Sequence, residues 1–151
     1  MDFRSILVPT DFSECARRAA PVAAQLARLT GASVICLHVV EPVVQPLGWT
    51  PVAEPMPAAE LGERMEESAA RDLPAFSKSE EFAGLAVEDL IAHGEPASEI
   101  VRVAGERGVG LIVISSHGRT GLGRILFGST AESVVRHARC PVLVVKPPES
   151  K

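Results

Sequence analysis

Four short, nearly continuous apolar runs constrain this chain more than any other feature: Ile6-Leu7-Val8, Val34-Ile35-Cys36-Leu37 leading on to Val39-Val40, Leu111 to Ile114, and Val142 to Val145. A strand with one wet face alternates apolar and polar residues, so an unbroken run implies burial on both faces. A parallel sheet covered by helices on each side meets that condition. A fifth run, Leu85 to Ile91, is interrupted by Glu88 and Asp89 and reads as a strand at a sheet edge.

Helix-length segments separate the runs. Residues 13 to 30 form the first, ending at Gly31 as a plausible C′ residue, with a kink expected at Pro21 because proline cannot donate the helical bond. From Ala58 to Phe76, the apolar positions Leu61, Met65, Ala69, Leu73 and Phe76 recur at helical spacing beside Glu63, Arg64, Glu66 and Glu67. A third helix starts at Pro96, a favoured first helical residue, and ends near Gly108. The fourth starts at Ser129, where Ser129 and Glu132 have capping-box spacing, and finishes in Arg136, His137 and Arg139 before Pro141. The order β-α-β-α-β-α-β-α-β predicts an α/β three-layer sandwich with right-handed crossovers.

Residues 42 to 57 break the alternation, carrying Pro42, Pro46, Pro51, Pro55 and Pro57 together with Trp49, the only tryptophan. So many prolines exclude a helix or a central strand and leave a long loop, either a functional lid or a disordered connection. With 151 residues, 46% of them hydrophobic and 23% charged, the chain reads as one globular domain over 1–151. A net charge of −4 speaks against a general nucleic-acid binder. Nothing approaches the length of a membrane span. Cys15, Cys36 and Cys140 form no C-x-x-C pair and are odd in number, which favours a reducing cytoplasm over a disulfide framework.

The stretch SSHGRTGLGRILFGST, Ser115 to Thr130, carries the chemistry. From Gly123 it resembles the phosphate loop G-x-x-x-x-G-K-[ST], but Ser129 stands where lysine must reach the phosphates, and no apolar run ends in a convincing magnesium-binding aspartate. The dinucleotide fingerprint fails as well, because Leu126 occupies its third glycine position. What remains is the physics both motifs share. The segment leaves a strand at Ile114, passes through glycines that let backbone approach a ligand, and enters a helix whose free N–H groups and dipole favour an anion. Arg119 and Arg124 add positive charge. Taken singly, the glycines could serve turns, Ser129 could be only an N-cap and the arginines a solvated face.

The same run resembles the nucleotide-binding signature of the universal stress protein family, G-x2-G-x9-G-[ST]. Gly118 matches the second glycine, nine residues follow, and Gly128-Ser129 match the close. Ile6 to Ser13 resembles that family's first strand and loop, Leu37-His38-Val39 its second strand end, and Cys140 to Lys146 its last strand. The resemblance implies a five-stranded parallel sheet in order 3-2-1-4-5 with four helices, of the adenine nucleotide alpha hydrolase-like type. Pro9, Thr10 and Asp11 would then face Gly118 and Ser129 across one crevice. It further implies that Asp11 and the backbone of Val39 recognise a nucleoside while Gly118, Arg119, Gly128, Ser129 and Thr130 bind phosphate. Ser115, His117 and Gly121 complete the candidate set. Ser115 replaces the first signature glycine, so either its hydroxyl turns toward phosphate or its Cβ narrows the site. Asp11 has a second reading, since Asp11 and Glu14 have capping-box-like spacing.

The implied ligand is ATP, with or without Mg2+, or else AMP or ADP. No acidic metal-ligand cluster accompanies the loop, His137 and Cys140 read as a helix end rather than half a zinc site, and His38 reads as a core or pocket-wall residue. Binding with slow hydrolysis at most is therefore expected, in a regulatory protein of stress response with an unidentified protein partner. The apolar edge Val142 to Val145 exposes unpaired backbone that a second copy would cover, and the family commonly pairs through this strand, so a homodimer is expected. The alternatives are a nucleotide-free dimeric interaction module and a weak ATPase or self-phosphorylating protein.

Overall fold

The computed structural model describes residues 3–42, 57–117 and 128–146. Five parallel strands, β1 (Ser5–Pro9), β2 (Ser33–Val40), β3 (Val87–His93), β4 (Leu111–Ser115) and β5 (Val142–Val145), form one sheet in the order β3-β2-β1-β4-β5. Pairing runs from Ser5↔Ser33 to Pro9↔Leu37 between β1 and β2, through Ile6↔Leu111 between β1 and β4, and from Ile112↔Val142 to Ser115↔Val145 between β4 and β5. The expected sandwich and strand order are both present. The proline-rich stretch lies outside the described residues except at its ends.

The unbroken runs are explained by a core on each face of the sheet. Ile6, Val8, Val34, Cys36 and Val113 face one way, against Ala19, Ala20, Ala23, Ala24 and Ala27 of α2 (Ala19–Thr30) and Leu73 and Phe76 of α3 (Ala58–Ser77). Leu7, Ile35, Leu37, Ile112 and Ile114 face the other, against Ile100 and Val103 of α4 (Pro96–Glu106) and Ala131 and Val134 of α5 (Ser129–His137). Successive strand residues point to opposite faces, so every position of an inner strand needs an apolar side chain. The alanine stripe of α2 lets that helix lie close to the sheet. Burial, with Asp89 adding negative charge nearby, pushes the Cys36 thiol up to about 12 and keeps it chemically quiet.

Several boundaries differ from those the sequence predicts. The first helix is divided at Arg18 into α1 (Glu14–Arg17) and α2, upstream of the kink expected at Pro21. Pro21 sits in the first turn of α2, where a missing N–H breaks no intrahelical bond, so it marks a start rather than a bend. The third strand runs from Val87 to His93, two residues beyond the predicted span, because Leu85 belongs to the turn after the 3-10 segment Glu80–Phe82, donating its N–H to Phe82. The strand does occupy a sheet edge, as expected. Pro74 lies inside α3 in its last turn. α5 stops at His137, leaving Arg139 beyond it, and His137 Nδ1 donates to the Ser133 carbonyl as a helix-end residue.

Candidate functional site

The sheet order makes β1 and β4 central neighbours whose connections depart in opposite directions, α1–α2 packing on one face and α5 on the other. A crevice opens at the carboxyl ends of such strands. Here it is a cleft of about 390 Å³, within the usual range for small-molecule sites.

Its first wall is the loop after β1. Thr10 extends the ladder by donating its N–H to the Leu37 carbonyl at 2.8 Å. Thr10 Oγ1 then accepts from Phe12 N at 3.0 Å and Asp11 Oδ1 from Ser13 N at 3.0 Å, two side-chain turns in succession. Ser13, not Asp11, caps α1, its Oγ accepting from Ala16 N at 3.1 Å. The capping-box reading of Asp11 is thereby corrected, since Asp11 lies two residues before the N-cap. Phe12 has φ 64 and its ring stacks on His38 with centroids 4.4 Å apart. His38 Nδ1 is 2.8 Å from the Thr10 carbonyl oxygen.

The second wall is the end of β4. Ser115 Oγ donates to the His117 carbonyl at 2.8 Å, so the hydroxyl that replaces the signature's first glycine closes a turn in the chain itself. Ser116 is fully buried, its N–H bonded to the Val145 carbonyl and its Oγ 2.9 Å from His117 Nδ1. The Ser116 carbonyl in turn accepts from Gly128 N at 2.6 Å, which draws the start of α5 against the end of β4.

The third wall is that helix start. Gly128 is the N-cap of α5 and supplies no side-chain bond, while Ser129, expected as the cap, is the first helical residue. One reason is geometric: a Cβ at residue 128 would stand 3.3 Å from the Ser116 carbonyl oxygen and 3.7 Å from His117 Cα. The neighbouring α4 provides the contrast. Glu95 caps it with its carboxylate, accepting from Ala97 N at 3.0 Å and Ser98 N at 2.7 Å, and these bonds, those from Ser98 foremost, hold the Glu95 carboxyl below the usual range. One helix N-terminus beside the cleft thus carries its own anion. The other, among the described residues, presents uncapped N–H groups to the cavity.

Pro9, Thr10, Asp11, Val39, Ser115, His117, Gly128, Ser129 and Thr130 all line the cleft. Gly118, Arg119 and Gly121 lie outside the described residues. Sequence reasoning missed Ala16, Glu41, Met65, Pro96, Ile100, Ile114, Ser116 and Ala131, and His38, expected as a core or pocket-wall residue, completes the lining. Met65 belongs to the apolar stripe of α3 and Ser116 to the glycine-rich stretch, so both were within reach of periodicity or position. Glu41 and Pro96 reach the cleft only through the sheet order. Among the described residues no group of three His, Cys, Asp or Glu side chains is placed to hold a metal ion, and no helix is long and apolar enough to cross a membrane.

Comparison with known proteins agrees with this geometry. The universal stress protein family model matches residues 2–146. The chain is 36% identical over 149 residues to universal stress protein MJ0531 of Methanocaldococcus jannaschii, covering 99% of this chain and 85% of that one. It is 35% identical to MJ0577 of the same organism, covering 95% of each. The solved structure of MJ0577 superposes with a TM-score of 0.82 at 33% identity, over 99% of this chain and 100% of that one. A universal stress protein from Archaeoglobus fulgidus, solved in complex with dAMP, superposes with a TM-score of 0.63 at 29% identity, over 97% and 100%. The apolar runs, the sheet order, the crevice between β1 and β4 and these likenesses all lead to one conclusion: the chain belongs to the universal stress protein family.

Proposed function

We propose that this chain binds an adenine nucleotide in the cleft, with ATP as the ligand and ADP or AMP using the same nucleoside and first-phosphate contacts. The observation that carries the reading is the pair of helix N-termini: α4 is closed by Glu95, whereas α5 begins at a glycine and offers uncapped N–H groups to the cavity. A phosphate seated at Ser129 and Thr130 would accept those bonds and meet the positive end of the helix dipole. Gly118, Arg119 and Gly121, which fall between His117 and Gly128 in sequence, complete the proposed phosphate set. The nucleoside would lie toward Pro9, Thr10, Asp11 and Val39, the carboxylate of Asp11 accepting from ribose hydroxyls and the backbone of Val39 reading the base. The dAMP complex of the Archaeoglobus fulgidus relative supports an adenine nucleotide.

Mg2+ would arrive on the polyphosphate, because at nucleotide sites it is held chiefly by phosphate and water. The activity proposed is binding, with hydrolysis slow at most. The protein acts as a cytoplasmic regulatory homodimer in stress response, nucleotide occupancy setting the state its partner reads. β5 supplies the dimer contact, being the sheet edge opposite β3 with Leu143 still 37% exposed. The test is native mass spectrometry of protein purified without added nucleotide, followed by titration with ATP. An added mass of one adenine nucleotide per chain supports the proposal; protein that stays ligand-free in millimolar ATP refutes it.

A further inference from the structure

We propose that His38 is the positioning residue of the nucleotide cleft, the side chain that fixes the loop carrying Asp11 relative to Val39. The inference rests on the adenine-nucleotide reading above. The side-chain bonds within the loop, from Phe12 to Thr10, from Ser13 to Asp11 and from Ala16 to Ser13, join near neighbours. They shape the turn without setting where it sits on the sheet. Two bonds to β2 do that, and they come from consecutive residues of the strand. The Leu37 carbonyl accepts from Thr10 N at 2.8 Å, and His38 Nδ1 bonds the Thr10 carbonyl at 2.8 Å. Both polar backbone groups of Thr10 are therefore held by the strand that also carries Val39.

The same imidazole holds the other side of Asp11. Phe12 adopts φ 64, a left-handed conformation that is costly for a bulky side chain and persists only where the surroundings enforce it. Its ring lies on that of His38 with centroids 4.4 Å apart and planes 28° from parallel. His38 thus grips the residue before Asp11 by its edge and the residue after by its face. A carbonyl oxygen can only accept, so Nδ1 carries the proton and the neutral ring is the Nδ1–H tautomer, with its lone pair on Nε2. Protonation of Nε2 leaves that bond in place, since both nitrogens of the cation are donors.

The test combines affinity for AMP, measured by calorimetry, with nitrogen-15 spectra of the His38 ring in the wild type at a pH where the ring is neutral. His38→Ala is expected to weaken AMP binding roughly tenfold, the loss of about one well-placed hydrogen bond. His38→Asn, whose amide can present an N–H near the same place, should recover most of that loss. In an Asp11→Ala background His38→Ala should change affinity little, because His38 acts through the loop that presents Asp11. The spectra should show a protonated Nδ1 and an unprotonated Nε2. Should His38→Ala fail to fold, the Asn variant and the tautomer decide the matter. Wild-type affinity in a folded His38→Ala, additive losses with Asp11→Ala, or an Nε2–H tautomer would overturn the inference while leaving the nucleotide reading intact. A wild type that binds neither AMP nor ATP at millimolar concentration would defeat both.

Discussion

Replacing Gly128 with aspartate puts a carboxylate at the start of α5, as Glu95 does at the start of α4, and should separate stability from binding. Residue 128 has φ −69 and ψ 157, ordinary extended values, so a side chain meets no backbone strain there. Its Cβ would stand 3.3 Å from the Ser116 carbonyl oxygen, which requires a shift of a few tenths of an ångström at the helix start. Gly128→Ala isolates that crowding and adds a poor N-cap, costing about 1 kcal/mol. In Gly128→Asp the carboxylate caps free N–H groups and offsets the crowding, so stability should stay within about 1 kcal/mol of wild type, roughly 2–4 °C in Tm. Binding has no such compensation. A carboxylate about 4 Å from a phosphate charge costs on the order of 4 kcal/mol at an effective dielectric constant near 20, and the donors meant for phosphate are already engaged. Affinity for AMP should therefore fall at least about 100-fold, against about tenfold or less for the alanine variant. Calorimetry paired with thermal unfolding reads both quantities. A Gly128→Asp protein with wild-type Tm that binds AMP within threefold of wild type would refute the placement of phosphate at α5.

Two further perturbations address the helix cap and the dimer. Glu95→Gln removes the charge that the Ser98 and Ala97 bonds hold below the usual glutamate range. Because the folded value is depressed, the stability advantage of wild type should be full above the ordinary glutamate pKa and fade as pH falls through the lowered one, which urea unfolding at a series of pH values can follow. An advantage independent of pH would contradict that account. Leu143→Lys places a charge on the exposed side of β5, where Val144 packs inward against the core; light scattering should show a monomer with unchanged helical circular dichroism. A dimer that survives the substitution would place the interface elsewhere.

The inner strands were legible because burial on two faces leaves no room for polar residues, and β1, β2 and β4 carry that requirement openly. The ends of elements were not, for local reasons. Pro21 reads as a kink until Arg18 is known to end the preceding turn, which makes proline an initial residue. Ser129 reads as a cap because serine usually is one, but the Ser116 carbonyl pulls Gly128 into that position. Asp11 and Ser13 compete for one role, and the sequence does not distinguish an aspartate that turns the loop from a serine that caps the helix. The cleft was legible at the end of β4, at the start of α5 and at the β1 loop, where short motifs sit on single segments. His38 was read as a core or pocket-wall residue, and it does line the cleft. Its bond to Thr10 spans 28 residues and exists only once β1 and β2 are paired.

The central claim is that an adenine nucleotide lies across the β1–β4 crevice with its phosphate on the N–H groups of α5. Amide chemical shifts of nitrogen-15-labelled protein titrated with AMP test it directly. The account predicts saturable shifts of Ser129, Thr130, Thr10 and Val39 amides, with the Ser129 and Thr130 protons moving downfield as they bond to phosphate. Saturable binding that leaves Ser129 and Thr130 unmoved would contradict it.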